Sequence, residues 1–269
     1  MILVSNLHSI KQIEKQYNTG ESPVLVVCSD KESYICKYMR STSAAYKLVS
    51  EYIGACMISE WEIPSPMMAM VKIKAEHWSA GIVTTRNLSA PAIGYKKLDG
   101  VIDITPTTYS FVNQSEDLLE QLLKIALFDF WIANEDRTYN NANLLYEVQN
   151  EKLISIDYGG ILNTSTFEFS MSQLTSTDTI LYADLFRHLS QNKAPQCVWN
   201  IVNGLKTYYH NCIEKCSNRI EDIKGNIPKE WNVPTTLIEE KLTQLTNPIW
   251  VNNVWDNFVE CLKENLKDE

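Results

Sequence analysis

The sequence predicts an α+β fold, with a small β-rich part followed by a larger, mainly helical one. Three observations carry this expectation. The runs PVLVVCS and YICKYM, joined by the polar connection DKES, read as an antiparallel hairpin. MMAMVKI and PAIGYKKLDG add two further strand-like runs by residue 100. From Ser115 onward apolar residues recur at helical spacing, beginning with EDLLEQLLKIALFDFWIA. We place the boundary within 91–100, dividing the chain into 1–98 and 99–269.

Taken in order, HSIKQIEKQY reads as a short polar helix before the turn-prone NTG. In the second strand of the hairpin, period-2 alternation puts Ile35, Lys37 and Met39 on one face. Residues 43–57 follow a helical pattern with Ala45, Leu48, Tyr52 and Ala55 or Cys56 as the stripe and Ser43 as the cap. Pro64 and Pro66 break the chain before the next strand, and 75–90 carries no clear signal. The long helix after Ser115 has acidic residues in its first turn, which suits the helix dipole. Beyond residue 168, TDTILYADLFRHLS, VWNIVNGLKTYYHNCIEKC, TTLIEEKLTQL and IWVNNVWDNFVECLKEN all read as helices.

Bulk properties narrow the function. With 24 basic and 33 acidic residues the net charge is −9, and no basic tract supplies the footprint that direct nucleic-acid binding needs. Seven scattered cysteines and no secretory signal fit reduced thiols and a cytoplasmic location. No apolar run approaches the roughly 18 residues of a membrane span. The absence of a G-x-S-x-G elbow, an H-E-x-x-H helix and a Walker loop argues against serine hydrolases, zincins and P-loop enzymes.

The chemistry concentrates in WIANEDRTYNNANLLYEVQNEKLISIDYGG, Trp131 to Gly160. Asp136 and Asn141 are five apart, and Asp157 follows sixteen later at the end of an apolar run. Phosphoryl transfer is catalysed mostly by positioning and charge neutralisation, with Mg²⁺ held by hard oxygens. Asn141 and Asp157 are suited to the metal, and Asp136 to accepting the proton of the attacking hydroxyl. Lys37 would reach the phosphates of ATP, and Glu51, fourteen residues on, would pair with it. Gly20 and Ser22 in NTGESP lie where a phosphate-covering loop belongs, with Ile35 on the cleft wall and adenine near Pro91–Leu98. Singly, each residue has a bland reading. Loop carboxylates and amides shape turns, a strand lysine covers apolar surface, and a helix glutamate is solvated. Arg137 is read as a brace for Asp129, and the cysteines of HNCIEKC as core residues rather than metal ligands.

The set G-x-S-P-V…YICK…SEY…ANEDRTYNNANLLY…ISIDYGG resembles the HipA-like kinase family, and its DR-x-x-x-N…IDYG part is also similar to phosphatidylinositol kinases. The resemblance spans roughly residues 18–160. It implies a bilobal protein-kinase-like fold, with 1–98 as the N-lobe and 99–269 as the C-lobe. It implies Asp136 as the catalytic residue, Asn141 and Asp157 as Mg²⁺ ligands, and Lys37 with Glu51 as the phosphate-binding pair. Such enzymes transfer the ATP γ-phosphate to a protein Ser or Thr, as toxins paired with an antitoxin. Some autophosphorylate in the phosphate loop, which singles out Ser22. Thr138 stands where the family often has His, which bears on the substrate rather than on the transfer. The chain also reads as shorter than the full toxins, lacking their extra N-terminal region. A small-molecule or lipid kinase, or a nucleotide-binding pseudokinase, remains an alternative.

Overall fold

The computed structural model describes residues 4–78, 85–162 and 166–267. Its first departure from the sequence reading is at the start. HSIKQIEKQY is extended rather than helical: β1 (Ser5–His8) lies parallel to β5 (Met68–Lys72), and β2 (Lys15–Gln16) pairs antiparallel with β3 (Val24–Val27). The backbone of the segment pairs with a neighbouring strand, Ile10 N donating to Val27 O and Glu14 N to Leu25 O, each at 3.0 Å, and that context overrides the local pattern.

The expected hairpin is present as β3 and β4 (Ser33–Lys37), with Leu25 opposite Ile35. β6 (Ala92–Lys96) joins β4 on one side and β5 on the other, giving a six-stranded sheet in the order β1-β5-β6-β4-β3-β2. Alternation sorts the two faces. Val24, Val26, Tyr34, Cys36, Ala69 and Val71 are buried with Trp78 on one side, where Trp78 meets the Tyr38 ring edge-on at 4.8 Å. From the segment without a sequence signal, Trp78, after a short 3-10 turn at Ala75–His77, and Leu88, in α2 (Thr85–Ser89), pack on this face, while 79–84 lie outside the described residues.

The opposite face, through Met70 and Ile93, packs on α1 (Thr42–Glu60). Its cap is Ser41, whose hydroxyl accepts from Ala44 N at 3.2 Å, rather than the expected Ser43. Helix α1 is buried on every side from Leu48 to Ile58, not along one stripe, because the sheet covers one flank and the helical part the other.

After a turn at Gly100, whose φ of +72° favours glycine, β7 (Val101–Asp103) begins a small antiparallel sheet. It continues with β8 (Leu144–Glu147) and β9 (Lys152–Ser155). Between them runs α3 (Glu116–Ile132), capped by Ser115 and buried over most of its length. Only the second half of the predicted helix TDTILYADLFRHLS, α4 (Asp184–Ser190), is α-helical, and its first half is built on two 3-10 turns. α5 (Pro195–Ser217), α6 (Ile220–Gly225), α7 (Thr235–Leu245) and α8 (Pro248–Lys267) complete the helical part. Two indoles tie it together: Trp131 donates to Leu245 O and Trp250 to Trp131 O, each at 2.9 Å. No helix among the described residues is long and apolar enough to cross a membrane.

Candidate active site

The end of α3 sets the first half of the site. The helix stops where Ala133 takes a left-handed φ of +52°, and the Asn134 side chain then donates to Asp129 at 2.8 Å. Its oxygen accepts from Asp136 N at 3.2 Å. Beyond Asp136 the chain turns back on itself through Thr138 and Asn141, whose backbones exchange hydrogen bonds. The side-chain amides of Asn141 and Asn143 both donate to Asp136, to its carbonyl at 3.0 and 3.1 Å and to its carboxylate at 3.2 and 3.3 Å. Sequence reading singled out Asn141 and missed Asn143, although the alternating asparagines in NNANLL were a visible signal.

Arg137 points the other way. It is fully buried, with Nε 2.8 Å from Asp129 Oδ2, and it donates to the Asn143 carbonyl at 2.6 Å and the Ser155 hydroxyl at 2.7 Å. One guanidinium thus fastens α3, the 142–143 loop and β9 together, the bracing role expected for it. Burial pushes the Asp129 carboxyl up to about 6, with Arg137 and Asn134 pulling against it.

The second half follows β9. Asp157 has a φ of +62°, a conformation that residues other than glycine rarely adopt. Gly160 then passes so close to the first half that a Cβ on it would lie 2.6 Å from Asp136 Cβ. Glu135 N donates to Gly160 O at 3.1 Å and Leu162 N to Ile132 O at 2.9 Å, which stitches the two loops side by side.

The sheet and α1 contribute the charge. Lys37 Nζ donates to Glu51 and to Asp157 Oδ1, the latter at 2.8 Å. Glu51 is fully buried and also accepts from the Tyr95 hydroxyl at 2.7 Å and from Tyr158 N at 3.2 Å. Burial pushes Glu51 up to about 7, with Lys37 and Tyr95 opposing. For Lys37, burial alone would lower the pKa, but Glu51, Asp157 and Glu21 outweigh it and hold the ammonium well above lysine's ordinary value. Asp157 is likewise pushed up by burial and pulled down further by Lys37, so it stays below the usual carboxylate value.

A cleft of about 520 Å³ joins the halves, lined by Gly20, Lys37, Asp136, Asp157 and Gly160 among others. Ser22 and Ile35 are not in its wall. Ser22 sits in a tight turn with its N–H and hydroxyl both on Thr19 O. Ile35 lies in a half-buried row with Leu25, Tyr95 and Met68, on the sheet face that carries Lys37. Sequence reading also missed Glu21 and Lys47, which line the cleft as an ion pair at 2.9 Å.

The donors suit a hard divalent cation. The Asn141 NH₂ group is committed to Asp136, so its oxygen is the atom that could meet a cation; Asp157 lines the cleft with its carboxylate, whereas Asn141 is not in the cleft wall. Among the described residues no group of three or more His, Cys, Asp or Glu could hold a metal alone.

Comparison with known proteins puts this arrangement in context. Among solved structures, the proinflammatory kinase CtkA of Helicobacter pylori superposes with a TM-score of 0.56, covering 94% of this chain and 97% of its own. At 13% identity that likeness shows a shared kinase fold. No curated protein matches the sequence. The family model described as HipA-like kinase matches residues 10–252, nearly the whole chain and both halves of the cleft. The chain belongs to the HipA-like kinase family.

Proposed function

We propose that this kinase transfers the γ-phosphate of ATP to a Ser or Thr hydroxyl of a protein, with Mg²⁺ as its metal. The observation that carries this reading is that one cleft is lined by Lys37, Asp136 and Asp157 together. On this reading residues 1–98 act as the N-lobe and 99–269 as the C-lobe. The half-buried row Leu25, Ile35 and Tyr95 forms the roof against which adenine lies. ATP supplies the phosphoryl group and Mg²⁺ neutralises its developing charge.

The chain's own residues do the rest. Lys37, fixed by Glu51, would bind phosphate oxygens, and Asn141 and Asp157 would hold the metal. Asp136 accepts the proton of the acceptor hydroxyl, and the two asparagine amides on it keep its carboxylate oriented. The protein acceptor, the toxin role and an antitoxin partner are supported by family membership alone.

The experiment is a thermal-shift titration with ATP and Mg²⁺ on wild type and Asp157→Ala, followed by mass spectrometry for phosphate on Ser22 and on added proteins. Wild type should gain stability in proportion to log ligand concentration, and the variant should lose the metal-dependent part. No shift at millimolar nucleotide would remove the kinase reading of the cleft.

A further inference from the structure

We propose that Lys47 is a second phosphate-binding cation of the nucleotide cleft, and that Glu21 occupies the place of a nucleotide phosphate until one displaces it. The inference rests on the reading that the cleft takes ATP. Glu21 Oε1 is 2.9 Å from Lys47 Nζ, and its Oε2 is 3.2 Å from Lys37 Nζ. One carboxylate therefore bridges two ammoniums with separate oxygens, as two non-bridging oxygens of a phosphate would.

Its position fits the same description. Thr19, Gly20 and Glu21 border the cleft that Asp136 and Asp157 line, and a Cβ on Gly159 would lie 3.4 Å from Glu21 Oε1. The carboxylate thus reaches from the 19–22 loop to the turn after Asp157. Glu21, Lys37 and Lys47 also line a second cavity of about 380 Å³ toward the start of α1.

The charges decide what gives way. Glu51, Asp136, Glu135 and Asp157 already make this region acidic, and a polyphosphate entering it needs cations that are free to face it. Glu51 and Asp157 are built into α1 and the turn after β9, whereas Glu21 stands on a loop and is partly exposed. Like-charge repulsion therefore expels Glu21 and releases both lysines to the phosphates. Lys47 is four residues before Glu51 on α1, so the helix that orients Lys37 through Glu51 also delivers Lys47. A solvated surface pair would instead contribute little and leave nucleotide affinity alone.

Calorimetric titration of the full chain with ATP and with AMP, each with Mg²⁺, separates the two. Wild type is compared with Glu21→Gln, Lys47→Met and the double variant. Glu21→Gln should bind ATP several-fold more tightly, and Lys47→Met about tenfold more weakly, with AMP changed little in either. Lys47→Met should still weaken ATP when Glu21 is already Gln, because the lysine then meets the phosphate directly. In turnover, KM should move while kcat holds. ATP affinity unchanged in Glu21→Gln, a Lys47 effect that vanishes in the double variant, or equal losses for AMP would each overturn the proposal while leaving the cleft's function intact. Absence of ATP binding in wild type and every variant would remove that function and this inference together.

Discussion

Asp136 is held by amides rather than by an opposing charge, since Asn134 fixes its backbone and Asn141 and Asn143 fix its carboxylate. A neutral isostere keeps both amide bonds to the residue-136 carbonyl and one of the two to the side chain. Asp136→Asn should lower kcat by roughly 10²–10⁴-fold, the range for loss of a positioned proton acceptor, while the ATP–Mg²⁺ thermal shift is retained. If turnover survives in this variant, Asp136 is not the base. Gly160→Ala tests the same carboxylate sterically. Its new Cβ would stand 2.6 Å from Asp136 Cβ, so the loops must part. A displacement of about 1 Å at a reacting group can cost on the order of 10² in rate. We expect kcat to fall by about that factor with nucleotide affinity nearly unchanged, measured by steady-state kinetics beside a binding titration.

Among the elements, α3 and α1 meet the site through buried contacts that single substitutions can reach. Asp129→Ala removes both acceptor oxygens from the buried Arg137 and Asn134 side chains, which should destabilise the fold by about 3–5 kcal/mol in urea melts. It should also change the pH dependence. The Asp129 carboxyl lies near 6 in the folded protein against an ordinary 3.8, so the folded state binds its proton more tightly. The stability it contributes is complete below about 3.8 and is lost as pH rises through 6. Melts between pH 4 and 7 should show that decline in wild type and a flatter course in the variant. Gly54→Ala places a Cβ 2.4 Å from Tyr158 Cβ. The better helix propensity of Ala, worth about 1 kcal/mol, should be outweighed by overpacking of about 1–3 kcal/mol. A variant that melts at or above the wild-type temperature would show that α1 moves aside freely.

The same elements show what the sequence could reveal. Strict alternation made β3 and β4 legible, and a long apolar stripe with a Ser cap made α3 legible. HSIKQIEKQY misled because its ends are tied by pairing rather than by pattern, His8 to Lys72 some sixty residues away and Lys15–Gln16 to Val24–Leu25. Ser41 and Ser43 are equivalent caps on paper, and only the backbone angle of Ser41 separates them. In the site, the Asp136, Asn141 and Asp157 spacing was readable because short loops carry it. The pairing of Glu21 with Lys47 and Lys37 was not, since it joins a loop, a helix and a strand through space.

Across the whole molecule, burial divides stable from labile backbone. The interiors of α1, between β6 and α5, and of α3, between β9 and the helices α4, α5 and α8, are enclosed, whereas residues 17–22 are exposed or half-buried. Native-state hydrogen exchange should therefore show α1 and α3 amides exchanging only near global unfolding, and those of the 17–22 loop exchanging first. Bound ATP should slow the loop and leave the helices unchanged. At this scale the likeness to CtkA at 13% identity has a physical basis, because layered packing tolerates wholesale side-chain replacement if volume and patterning persist.

Glu51 takes hydrogen bonds from Lys37 on β4, from Tyr95 on β6 and from the backbone of Tyr158. For anyone seeking inhibitors, that single carboxylate closes off one route. Compounds that select a kinase with this helix levered outward would have to break all three bonds and strand a buried anion, a penalty that consumes most of a small ligand's affinity. Inhibitors of this protein should instead fill the cleft as it stands, between Lys37, Asp136 and Asp157.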